Sequence, residues 1–123
     1  LHVEVAVVEV DEVVDLGALD EAYRKHHMWV RPKLSRLPSE YFADHIYVTF
    51  EDDWTAFKFA DSMNWRRLMW ANDFPHSDST WPWSQELLDK HTASMTDEQT
   101  RAILSDNVAG LYGIDRSLLT TTA

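Results

Sequence analysis

The chain has 123 residues, 45% of them hydrophobic and 26% charged, which is the size and balance of one globular domain. Eleven basic residues face 21 acidic ones, and the formal net charge of −10 argues against nucleic acid or an anionic membrane surface as a partner. With no cysteine there is neither a disulfide framework nor a thiolate metal site.

The first segment, LHVEVAVVEV, is rich in valine and partly alternating, so His2–Val10 is predicted to be a strand. No basic region precedes it and two glutamates lie within it, so it is not a signal peptide. No apolar run reaches the about eighteen residues of a membrane span, and the expected location is cytoplasmic. The segment also lacks an initiating Met, which makes the chain look like a piece of something longer. The acidic stretch Asp11–Asp15 is undecided. Leu16, Leu19, Ala22 and Tyr23 follow helical spacing, which predicts a helix over Leu16–His27 capped by Asp15. Trp29–Leu37 is basic, is interrupted by Pro32 and reads as a connection. Pro38–Phe42 suggests a helical turn with Ser39 as its cap. His45–Phe50, HIYVTF, is a compact strand pattern. Asp53 suits the N-cap of a helix over Trp54–Met63.

Arg67–Asn72 is a short apolar run, as expected of a strand buried on both faces. The loop Asp73–Trp83 follows it. Ser84 is the expected cap of a helix to about His91, and Thr96–Gln99 matches a capping box that opens another. Gly113 fits the end of that helix, and Ser117–Ala123 reads as a frayed tail. Strands and helices alternate, which implies parallel strands with right-handed crossovers. Three parallel strands leave two open edges, so the pattern looks like part of an α/β fold.

In parallel α/β folds ligands bind outside the carboxyl ends of the strands. Asp73, His76 and Asp78 lie on such a loop. A carboxylate there binds a divalent metal or takes a proton from metal-bound water, and an imidazole binds metal or polarises substrate. A plainer reading stands beside this one: Asp73 caps the loop while Asp78, Ser79 and Thr80 satisfy turn hydrogen bonds.

Three segments carry a resemblance: YFADHIYVTFEDD (Tyr41–Asp53), RLMWANDFPHSDSTWP (Arg67–Pro82) and ILSDNVAGLYGI (Ile103–Ile114). From about Leu19 to Ile114 the chain resembles the amidohydrolase superfamily, in the group that includes metal-dependent hydrolases and relatives of aminocarboxymuconate-semialdehyde decarboxylase. The resemblance implies a TIM (β/α)8 barrel, of which residues 1–123 would be the C-terminal portion: about three β/α units with parallel strands, incomplete as a barrel, with 1–18 poorly matched. By the same resemblance Asp73 is the catalytic and metal-binding carboxylate of the last barrel strand. His76, Asp78 and Trp81 would meet the substrate, a small organic acid. The implied cofactor is a divalent metal, zinc by expectation, in the complete enzyme.

The departures are equally informative. The family's H-x-H pair is absent, so a single carboxylate is left where a catalytic zinc takes three protein ligands. Little or no metal is therefore expected on this chain alone. His26 and His27 read as surface or packing residues, His45 as a strand-end residue, and His2 and His91 have no evident partner. Glu9 is a possible match to an acidic residue at the end of the sixth strand. Trp54, Trp65 and Trp70 are expected in packing. Trp81 and Trp83 either line a pocket for a planar acid or anchor the loop. Glu51, Asp52 and Asp53 end the second strand on the same face as Asp73, where their carboxylates either reach the site or, as the plainer reading has it, cap a loop. The two functional expectations are the C-terminal part of a hydrolase or decarboxylase, and a non-catalytic barrel remnant that self-associates through its open sheet edges.

Overall fold

The computed structural model describes residues 6–9, 15–31 and 33–119. The expected strand positions His2–Val5 and Val10, the acidic residues up to Val14, Pro32 and the tail end Thr120–Ala123 lie outside the described residues.

Three short strands, β1 (Ala6–Glu9), β2 (Ile46–Phe50) and β3 (Leu68–Trp70), form a parallel sheet in the order β1-β2-β3. The register pairs Ala6 with Ile46, Val48 with Leu68 and Phe50 with Trp70. Helices α1 (Leu16–His26) and α2 (Pro38–His45) carry the chain from β1 to β2. Helices α3 (Trp54–Lys58) and α4 (Ala60–Met63), with a 3₁₀ turn at Trp65–Arg67, carry it to β3. After β3 come α5 (Ser84–Thr92) and then a continuous helical run: α6 (Asp97–Arg101), a π-type turn at Ala102–Asp106 and α7 (Asn107–Tyr112). This is the α/β alternation expected from the sequence. None of the described helices is long and apolar enough to cross a membrane.

The side-chain alternation of strands sorts the sheet into two faces. Val48, Phe50 and Leu68 meet Ala56, Phe57, Ala60, Leu88 and Ile103 in one core, and Phe42, Met63, Trp65 and Trp70 pack against it. The opposite face takes Tyr47, Thr49 and Met69. Leu68 and Met69 are both buried, so β3 has the two-sided burial that its unbroken apolar run predicts.

Several local expectations hold. Asp15 caps α1 by accepting from the Ala18 amide at 2.9 Å, and Asp53 caps α3 by accepting from the Thr55 amide at 2.9 Å. Thr96 and Gln99 form the reciprocal capping box. Gly113 closes α7 at φ +65, a conformation glycine adopts without steric cost.

Others are corrected. Ser39 does not cap α2: Leu37 takes that position and Pro38 the first turn. Ser39 instead donates its amide and Oγ to the buried Asp20 at 2.9 and 2.7 Å, tying α1 to α2. These bonds, the amide first, hold the Asp20 carboxyl below its usual range. His45 ends α2 rather than starting β2. The predicted helix Trp54–Met63 is broken at Phe59, whose backbone leaves the helical region at φ −105, ψ 18. Trp54 is 52% exposed rather than packed, and Lys58 Nζ lies 5.2 Å from its ring. Trp83 occupies the cap position before α5, because Ser84 Oγ pairs with Thr80 Oγ1 at 2.9 Å. Part of the expected frayed tail, Ser117–Leu119, belongs to a 3₁₀ turn.

Candidate active site

The loop that follows β3 begins in register with the sheet, since the Ala71 amide donates to the Phe50 carbonyl at 3.0 Å. It then turns sharply at Asp73, which sits at φ +53. L-residues other than glycine rarely take this left-handed conformation, and Asp and Asn tolerate it best. The Phe74–Pro75 and Trp81–Pro82 peptides in the loop are cis.

Asn72 and Ser79 do most of the fastening. Asn72 Oδ1 accepts from the Phe74 amide at 3.2 Å. The Asn72 carbonyl accepts from Ser79 Oγ at 2.6 Å and from the Thr80 amide at 3.2 Å. Ser79 Oγ in turn accepts from the Trp81 amide at 3.2 Å. The plainer sequence reading, with Asp73 capping the loop and Asp78, Ser79 and Thr80 satisfying turn hydrogen bonds, holds for Ser79 and Thr80. The Asp73 carboxylate instead lies 3.1 Å from His76 Nδ1, and Asp78 accepts from its neighbour Ser77 at 3.2 Å. Asp73, His76 and Asp78 are all exposed, which leaves their polar atoms open to a ligand. Trp81, 59% exposed, meets Phe74 edge-on with ring centroids 5.3 Å apart.

Glu51, at the C-terminal end of β2, has a larger part here than loop capping. Its Oε1 is buried without a hydrogen-bond partner among the described residues, a state it shares with His45 Nδ1. Burial pushes the Glu51 carboxyl above the ordinary carboxylate range, and the charges of Asp73, Asp78 and Asp52 push it the same way, against the pull of the Thr80 amide. Its backbone carbonyl accepts from Trp70 Nε1 at 2.9 Å, which ties β2 to β3 beside the site. The signal in the sequence was positional: Glu51 follows a strand directly, as the loop carrying Asp73 follows the next.

His91 also has partners that its sequence context did not disclose. Its ring stacks on Phe57 at 5.4 Å and 9°, and its Nε2 lies 3.7 Å from Asp52 Oδ1. His26, the last residue of α1, and His27, its C-cap, are both exposed, the surface alternative of the sequence reading. Between α5 and the loop lies a cleft of about 430 Å³, lined by Asp52, Asp78, Trp81, Pro82, Trp83 and Leu87. Asp78 and Trp81 thus share a wall, while Asp73 and His76 stand outside it. Among the described residues no three His, Asp or Glu side chains converge as metal ligands.

The sequence model of the amidohydrolase family matches residues 13–114, most of the chain. The chain belongs to the amidohydrolase family. The resemblance seen in the motifs over Leu19–Ile114 lies within that span. No curated protein sequence matches this amidohydrolase chain. Among solved structures, the 5-carboxyvanillate decarboxylase from Sphingomonas paucimobilis matches with a TM-score of 0.68 at 22% identity, over 81% of this chain. That likeness is one of fold. The match spans 30% of the decarboxylase chain.

Proposed function

We propose that this chain forms the last three β/α units of a (β/α)8 barrel in an enzyme that hydrolyses or decarboxylates a small organic acid with a bound divalent metal, zinc by preference. The observation that carries the reading is the position of Asp73. It leaves β3 at the carboxyl edge of a parallel sheet, where such folds keep their chemistry, and the loop around it is fastened by other residues. Non-glycine residues held at positive φ are concentrated at functional sites.

The described residues fit one ligand position of a catalytic metal and do not complete the site. Asp73 is the proposed ligand, with the remaining ligands on barrel units outside this chain. When bound, a divalent metal supplies charge that polarises a substrate carboxyl or carbonyl. This chain's own part is to hold and orient. His76 Nδ1 lies 3.1 Å from Asp73 Oδ2 and would steady that carboxylate. Asp78 and Trp81 would line the mouth, and Glu51, its carboxyl raised by burial and by Asp73, would stand beside that carboxylate.

The test is zinc content by mass spectrometry on the protein joined to its upstream barrel units. One equivalent, falling at least about tenfold in Asp73→Asn, is expected; metal retained in that variant removes Asp73 from the ligand set. A second reading, a non-catalytic remnant that associates through its sheet edges, is favoured by the missing H-x-H pair. A start codon at or near Leu1, with no H-x-H encoded upstream, would decide for it.

A further inference from the structure

The cleft beside the loop has a chemistry of its own. At about 430 Å³ it falls within the range of small-ligand sites. Asp52 and Asp78 line it, and no Lys, Arg or His does among the described residues. Its hydroxyls are already engaged: Ser79 Oγ with the Asn72 carbonyl, Thr80 Oγ1 with Ser84 Oγ. Its carboxylates keep acceptor capacity to spare. Asp78 accepts one bond, from Ser77, and His91 Nε2 is 3.7 Å from Asp52, beyond hydrogen-bond range.

The indoles tell the same story. Trp54 and Trp65 each have a cationic side chain near their ring, Lys58 Nζ at 5.2 Å and Arg66 Cζ at 3.8 Å. Trp81 and Trp83 have none among the described residues, although at 59% and 64% they are more exposed than Trp54. An indole face attracts a cation through its quadrupole. Here two such rings stand in one cleft with two carboxylates. Two cationic side chains, Lys90 and His91, line an adjoining recess of about 310 Å³ that shares Asp52, Trp83 and Leu87.

We infer that the cleft formed by Asp52, Asp78, Trp81 and Trp83 binds an organic cation, an alkylated ammonium group on a compact apolar body. Its meaning for catalysis rests on the proposed function: the organic acid acted upon would also carry a basic or quaternary nitrogen. Binding itself does not depend on metal or on turnover.

The experiment is calorimetric titration of the protein with choline and with 3,3-dimethylbutan-1-ol, its neutral isostere of the same shape. Choline is expected to bind at least about tenfold more tightly. Trp83→Ala and Asp52→Asn, both changes at exposed side chains, are each expected to weaken choline about fivefold, with circular dichroism confirming an unchanged fold. Equal binding of the two probes, absence of choline binding by the folded protein, or unaltered affinity in both variants overturns the inference. Asp73→Asn separates the two claims. Choline affinity kept while metal is lost supports both. Choline binding with metal retained in that variant leaves the cation site standing and removes the assignment of Asp73.

Discussion

Glu51 and Asp73 leave neighbouring strands at the same edge of the sheet, and each carries a measurable cost. For Glu51 the cost is electrostatic. Its carboxyl is raised by burial and by Asp73, so the folded chain holds that proton more tightly than the unfolded chain does. Its contribution to stability is complete below the ordinary carboxylate pKa and is lost as pH rises through the raised value. Glu51→Gln should therefore melt higher than the parent protein at pH 7, with the gap closing toward pH 4. A gap that is constant with pH would sink this account. For Asp73 the cost is steric, since φ is +53. Asp73→Asn should keep thermal stability nearly intact, whereas Asp73→Ala should lose about 1 kcal/mol, because alanine lacks the short polar side chain that tolerates this conformation. Chemical denaturation of the two variants compares them directly; equal losses would mean that the strain is not local. Asparagine is therefore the right substitution for testing metal binding.

At the scale of elements, the closing helical run packs Ile103 into the core and is hydrogen-bonded to the sheet through Asn107. Asn107 Nδ2 donates to the Trp65 carbonyl at 2.8 Å and to the Leu68 carbonyl at 2.7 Å. Asn107→Ala would leave both carbonyls unpaired in a partly buried place and should cost about 2–3 kcal/mol in urea unfolding; a loss below about 0.5 kcal/mol would show that water replaces the amide. The capping box at Thr96 is a milder case, and Thr96→Ala should cost about 1 kcal/mol. These elements also show what the sequence made legible. Asp15, Asp53 and Thr96 cap their helices because each bonds to an amide two or three residues ahead, so the cause lies within a few letters. Ser39 and Ser84 look the same as letters, yet each answers to a partner the local pattern omits: Asp20, nineteen residues away, and Thr80 in the preceding loop. The break at Phe59 has no glycine or proline to announce it. Asp73 was visible because a buried strand ends just before it; the orphan oxygen of Glu51 was not, because burial of one atom depends on chain that is distant in sequence.

At the scale of the whole molecule, the sheet order among the described residues leaves β1 and β3 on the outside of a three-stranded parallel sheet. Parallel sheets are ordinarily continued or covered on both sides. If this chain associates through those edges, its apparent mass in sedimentation should rise with concentration, and addition of the upstream barrel units should abolish the rise. A single monomeric species at every concentration would count against the association reading. The loop between β3 and α5 has a different consequence for the molecule's history. Its shape is kept by Asn72 and Ser79, while the groups facing outward, Asp78, Trp81 and Trp83, contribute little to that fastening. Under the proposed cation site, scaffold and specificity are written in separate letters of one short segment. Exchange of the outward letters would then change the molecule recognised while leaving the shape of the mouth in place.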